Sequence, residues 1–211
     1  MTRPVSAEHI AVSDVAQWIR RRSDGAQRYL FGVTGAPGSG KSTLTASLAA
    51  ELGAAVVPMD GFHLPNATLD ERGLRGVKGA PETFAAASFV AAVRRLAAAD
   101  TDVTLPDFDR VVDEPQQDRI RVPASDRVVI VEGNYLLLDT DPWVELRDLL
   151  DAVAHLDVDP AVRVERLVNR HVRFGMTPSQ ASAFVQSSDE PNAARIEAVS
   201  HRAHLIIEVG E

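Results

Sequence analysis

A chain of 211 residues is long enough for one sizeable core, and its 45% hydrophobic and 25% charged residues fit a folded globular protein rather than a disordered one. A formal net charge of −8 disfavours a general nucleic-acid binder, which needs accumulated Lys and Arg, so any anion site must be local and no nucleic-acid partner is expected. Zero cysteines exclude disulfides, thiolate metal sites and cysteine nucleophiles, and the lack of a secretory pattern at Met1 or of an apolar run of about 18 residues leads to the expectation of a cytoplasmic protein without a membrane partner.

In chain order, residues 6–22 place Ile10, Val12, Val15, Trp18 and Ile19 at mixed helical spacing and end in Arg20, Arg21 and Arg22, a pattern for a helix with cations at its C-terminal end. "YLFGVT" reads as a buried strand, "KSTLTASLAAEL" as a helix and "AAVVPM" as a second strand, together one strand-helix-strand unit. Residues 61–81, rich in Gly and Pro, read as a long loop, and Glu82 to Ala99 as an alanine-rich helix. "DVTLP" is a short strand, Asp107 to Pro123 a second polar loop, and "RVVIVEG" a central parallel strand closed by an acid and a glycine. Asp141 before Pro142 and Asp159 before Pro160 each set a capping residue ahead of a proline and predict two helix starts, with the strand "AVAHLDV" between them. Thr177 and Gln180 predict a third start closed by a capping box, and "HLIIEV" a last strand. Strands alternating with helices imply an α/β fold: a doubly wound, mostly parallel sheet flanked by helices, with ligands at the carboxyl ends of the strands. A single domain over residues 1–211 is expected, with a helical lid at about 160–190.

The run Gly35-Ala36-Pro37-Gly38-Ser39-Gly40-Lys41-Ser42, with Thr43 following, satisfies GxxxxGK[ST] and sits between a strand and a helix, where a phosphate-binding P-loop must sit. Its glycines let backbone N–H groups converge on a phosphate without Cβ obstruction, the next helix offers its positive end, and Lys41 can bridge the outer phosphates. Ser42 can hold Mg²⁺ through its hydroxyl. A glycine-rich turn without ligand is the plainer alternative, weakened by the match of both spacing and context.

Past the loop, "VVPMD" delivers Asp60 to the carboxyl edge of the sheet, where a carboxylate can take a proton from an attacking hydroxyl or hold metal-bound water; a loop cap is the alternative. Glu132, at the end of "VVIV", can likewise hold metal-bound water near Ser42. Arg163, Arg166, Arg170 and Arg173 recur at steps of three, four and three and are expected on one helix face, with Arg166 and Arg170 as the inward pair that stabilises a transferring phosphoryl group. A solvated helix face is the bland alternative.

These residues resemble the P-loop small-molecule kinases that include uridine kinase, phosphoribulokinase and type I pantothenate kinase. "MDGFHLPNATLDERGLRGVKGAPETF", Met59 to Phe84, is similar to the acceptor segment of pantothenate kinase, while "LPDFDR", "EGNYLLLD" and "DEPNAARI" look more like bacterial nucleoside or sugar kinase-like proteins. The resemblance implies ATP and Mg²⁺ as cofactors, Asp60 as base, a homodimer, and a small-molecule hydroxyl acceptor between Asp60 and the loops carrying His63, Lys78, Arg110, Tyr135 and Asn192. Packing roles for His63 and Tyr135, and pairing of Arg110 with Asp107 or Asp113, stay open at this point. A nucleotide-dependent switch without an acceptor is the rival class, although the chain has no Asn-Lys-x-Asp guanine reader and no Leu-Ser-Gly-Gly transporter signature.

Overall fold

The computed structural model describes residues 7–209; Ser6, where the first helix was expected to begin, lies outside them. Six parallel strands form one sheet: β1 (Glu8–Ala11), β2 (Tyr29–Thr34), β3 (Ala55–Pro58), β6 (Val128–Glu132), β7 (Ala152–Asp157) and β8 (Leu205–Glu208), in the spatial order β1-β8-β7-β2-β6-β3. Side-chain alternation along these strands feeds two cores. Leu30, Val129, Val131 and Val153 point to one face, and Phe31, Val33, Ile130 and Ala154 to the other.

Helices α1 (Val15–Ser23) and α2 (Lys41–Leu52) cover the second face through Trp18, Ile19, Leu44 and Leu48. The first face receives α4 (Ala86–Ala98), the single turn α5 (Leu146–Leu149) and α8 (Glu190–Glu197), through Phe89, Val93, Leu146 and Ile196. Each such fully buried side chain contributes about 1.5–3 kcal/mol, so the sheet edge that carries the site rests on a heavily packed base.

Five sequence expectations are corrected. Glu8–Ala11 is not helical but an edge strand beside β8, and Trp18 of α1 donates its indole N–H to Glu8. The 61–81 loop contains a short helix, α3 (Asn66–Glu71), and α4 begins at Ala86 rather than Glu82. The polar stretch after Asp107 is a strand: β4 (Val103–Asp109) and β5 (Glu114–Val122) form an antiparallel ribbon outside the main sheet. Only its base is buried, at Val103, Leu105 and Val122, which explains why the rest of β5 is polar. At Asp141 the capping pattern yields a 3₁₀ turn, Trp143–Glu145, and then α5, because the chain must re-enter the sheet at Ala152. The two later starts form as expected: Asp159 caps α6 (Pro160–Arg173) by accepting from Ala161 N–H, and Thr177 with Gln180 closes a capping box on α7 (Pro178–Phe184).

Candidate active site

Parallel register aligns Val33 of β2 with Glu132 of β6, and Glu132 with Pro58 of β3. Three strand ends therefore stop level at one edge, where they release the glycine loop, Glu132 and, two residues beyond Pro58, Asp60. The turn carrying Asp60 lies so close to β4 that a Cβ on Gly61 would stand 2.3 Å from the Pro106 carbonyl oxygen. Glycine at that position is what lets the ribbon press against the acid.

Within the glycine loop, Gly40 takes the left-handed conformation just before α2, and Lys41 is buried. The Lys41 ammonium donates to the carbonyls of Gly35 (2.8 Å) and Ala36 (3.1 Å). Burial draws its pKa down to about 8, against the opposing pull of Glu132 and Asp60. Among the described residues the buried Ser39 hydroxyl meets no hydrogen-bond partner, which suits a polar guest such as a phosphate oxygen. On the outer side, a Cβ on Gly38 would stand 2.9 Å from the Arg163 carbonyl oxygen and from Leu167, so α6 rests directly on the loop. A lysine turned back on main-chain oxygens, an orphaned hydroxyl and a bare glycine arch together fit a phosphate chain.

Beside the loop, Ser42 donates its hydroxyl to Glu132 at 3.0 Å, and Thr45 reaches the other carboxylate oxygen at 3.5 Å. Burial raises the pKa of Glu132, partly offset by the charge of Lys41. Among the described residues no group of three or more His, Asp or Glu side chains gathers as a metal cage. Ser42 and Glu132, with Asp60 nearby at the same edge, form the sparse oxygen set that suits a cation keeping most of its waters.

The cleft in front of this edge has a volume of about 690 Å³. Asp60 faces it, its Oδ2 accepting from Arg110 at 3.1 Å; Arg110 thus pairs with Asp60 rather than with Asp107 or Asp113. The His63 Nδ1 lies 2.8 Å from the Asp60 main-chain oxygen, which can only accept, so that nitrogen carries the proton. The His63 ring packs on Phe84 and Phe108 at 4.0 and 4.9 Å, and burial lowers its pKa, which favours the neutral ring. Lys78 donates to Asn66 (2.7 Å) and to the Asp113 carboxylate (2.8 Å). Asn192 is buried at the far wall. Tyr135 does not join them: it is wholly buried among Phe84 and Trp143, its hydroxyl donating to the Gly79 carbonyl, so it supports the wall from behind.

The arginine stripe divides. Arg166 and Arg170 border the cleft, and the Arg166 guanidinium lies near Gly40, whereas Arg173 stays exposed outside it. Arg163 is buried, donating to the Pro37 carbonyl (3.2 Å) and to Glu190 (2.7 Å), and thereby holds the glycine loop from outside. Steps of three and four among the arginines do not identify the buried face, but Leu167 does: four residues to either side of it stand Arg163 and His171. His171 and its partner Asp189 also border the cleft, and no motif in the sequence marks either.

A parallel sheet with a phosphate loop after an inner strand, one acid at the end of the adjacent strand and another after the strand beyond it, defines a nucleotide-binding protein of the P-loop class. No protein-family model matches the chain. It is similar to the uncharacterized protein YggC of Escherichia coli, 41% identical over 182 residues that cover 83% of this chain and 75% of that one. It is also similar to "Putative uridine kinase C227.14" of Schizosaccharomyces pombe, 38% identical over 75% of this chain and 72% of that one. The solved structure of a "putative fructose transport system kinase" from Silicibacter sp. TM1040 matches with a TM-score of 0.84 at 41% identity, covering 93% of this chain and 98% of that one. The chain belongs to the uridine kinase-like family of P-loop kinases.

Proposed function

We propose that the protein transfers the γ-phosphoryl group of ATP to a hydroxyl of a small metabolite. One observation carries this reading: beside Lys41 and Glu132 at the same sheet edge, the carboxylate of Asp60 faces a cleft of about 690 Å³, roomy enough for a guest beyond the phosphates. A nucleotide switch needs the glycine loop but has no use for a further acid facing such a cleft.

In this reading the amides of Gly38 to Ser42 and the Lys41 ammonium bind the phosphates, and Lys41 exchanges its two main-chain oxygens for phosphate oxygens. Ser42 and Glu132 would hold Mg²⁺, which would supply charge neutralisation on the phosphates. Asp60, oriented by Arg110, orients the acceptor hydroxyl and accepts its proton. Arg166 and Arg170 close from α6 as a lid and offset charge on the group in transit, while water is kept out. His63, Lys78 and Asn192 line the acceptor's seat. Catalysis is then mostly positioning and electrostatics.

The test is an ADP-release screen with ATP and Mg²⁺ over nucleosides, pantothenate, ribose, fructose and related sugars. Release stimulated strongly by one alcohol is the expected result. Nucleotide turnover indifferent to every acceptor would favour the switch.

A further inference from the structure

The glycine loop is gripped from outside by a segment that no phosphate-binding motif includes. Between α7 and α8 the chain makes a π-turn, Val185–Asp189, a rare geometry that is often found at functional sites. Asp189, its last residue, and Glu190, the first of α8, both reach α6. The Asp189 Oδ2 lies 2.9 Å from the His171 Nε2, and the Glu190 Oε1 accepts from the Arg163 Nη2 at 2.7 Å. Arg163 and His171 stand about two helical turns apart, and Leu167, midway between them, packs on Gly38. The segment thus fastens α6 at two points along one face, and α6 bears directly on the glycine arch.

Arg163 makes the last link. Its side chain keeps only 6% of its surface exposed, and its Nη1 donates to the Pro37 carbonyl at 3.2 Å. A buried guanidinium requires a counter-charge, and among the described residues Glu190 is the carboxylate that meets it. Without Glu190 the guanidinium fork loses one of its two anchors, and its aim at Pro37 is no longer fixed. Three carbonyls of the arch accept from side chains: Gly35 and Ala36 from Lys41, and Pro37 from Arg163. In the nucleotide-loaded state read above, Lys41 gives up both of its carbonyls for phosphate oxygens. Arg163 is buried and does not border the cleft, so its tie outlasts loading.

We propose that Glu190 is a positioning residue for nucleotide binding: through Arg163 it holds Pro37 and Gly38 in the shape that receives phosphates, so that affinity for a nucleoside triphosphate is set in part from α8. This rests on the nucleotide half of the reading above and needs no acceptor. Charge alone gives the opposite sign. Removing a negative group would draw phosphates in more strongly, and equally for Glu190→Gln and Glu190→Ala. Positioning separates the two variants, because glutamine keeps an oxygen for the guanidinium and alanine keeps none.

The experiment is calorimetric titration, without acceptor, of ADP and of the non-hydrolysable ATP analogue AMP-PNP, each with Mg²⁺, into the wild-type protein and its variants. Glu190→Ala should raise the Kd of both nucleotides about 5- to 50-fold, and Glu190→Gln should recover most of that loss. Arg163→Met should match Glu190→Ala, and adding Glu190→Ala to Arg163→Met should change Kd by less than about twofold. Thermal unfolding without nucleotide separates this role from a structural one, since a residue that served stability alone would lower the midpoint and leave the Kd of the folded protein unmoved. Should Glu190→Ala fail to fold, Arg163→Lys is read in its place: lysine keeps the charge but cannot fork to Pro37 and Glu190, and it should weaken both nucleotides by a similar factor. Folded variants that bind as tightly as the wild type, or tighter, would overturn the proposal. So would a Glu190→Gln variant that recovers none of the loss, or a loss from Glu190→Ala that is undiminished in Arg163→Met. If the wild type itself binds neither nucleotide, the glycine loop is no nucleotide site and the reading beneath the proposal falls, an outcome distinct from any result among the variants.

Discussion

The candidate phosphate wall of the cleft is one run, Gly35–Thr43, clamped between the sheet and α6, whereas the residues proposed to meet an acceptor, Asp60, His63, Lys78, Arg110 and Asn192, come from segments scattered along the chain. The first wall is mainly backbone, and its key cation is buried; the second is side chains, several of them already paired with one another. The contrast teaches that the two halves answer to different constraints. Backbone geometry can serve any triphosphate, while side chains must be chosen for one guest.

The strongest way to break that contrast is at Asp60. Asp60→Asn should lower single-turnover phosphoryl transfer by about 10²- to 10⁴-fold and leave ATP affinity within about twofold. Near-normal transfer would demote Asp60 to a partner for Arg110. A smaller effect sharpens the other half: Lys41 sits near pKa 8 because burial disfavours its charge, and it must be protonated to meet phosphate. As pH rises from 8 to 9 the free protein loses that proton, so nucleotide affinity measured by calorimetry should fall by up to about tenfold, a dependence absent in Lys41→Met. An affinity flat over this range in the wild type would mean that Lys41 does not carry the charge. The smallest effect is expected at Tyr135: Tyr135→Phe leaves the Gly79 carbonyl unpartnered and should cost about 1–3 kcal/mol in denaturant unfolding, with acceptor KM unchanged. A raised KM at unchanged stability would return Tyr135 to the cleft.

The same division explains what could be read from the sequence. The phosphate loop, the Asp159 cap and the Thr177 capping box are local: their residues are consecutive or a turn apart, and pattern alone decides their geometry. Strands β2, β6 and β7 were also legible, as apolar runs buried on both faces. β1 was not, since Ile10 and Val12 fit a strand or a helix equally, and only pairing with β8, some two hundred residues away in the chain, settles it. β5 carries little apolar periodicity because most of its length lies over solvent. In the site, Tyr135 and Asn192 look alike from sequence as polar residues near motifs, and packing alone sends one behind the wall and the other into it. His171 was hidden for a related reason: its meaning depends on Asp189, which a π-turn places beside it.

The β4–β5 ribbon lies outside the six-stranded sheet, anchored by its base, while its far end brings Phe108, Arg110 and Asp113 to the cleft and leaves Val111 almost wholly bare. Changes of length or composition at that tip disturb no strand pairing in the sheet and no part of the phosphate arch. The hairpin is thus a place where the lining of the cleft can change while the phosphate arch stays as it is, provided that the tie from Arg110 to Asp60 is kept.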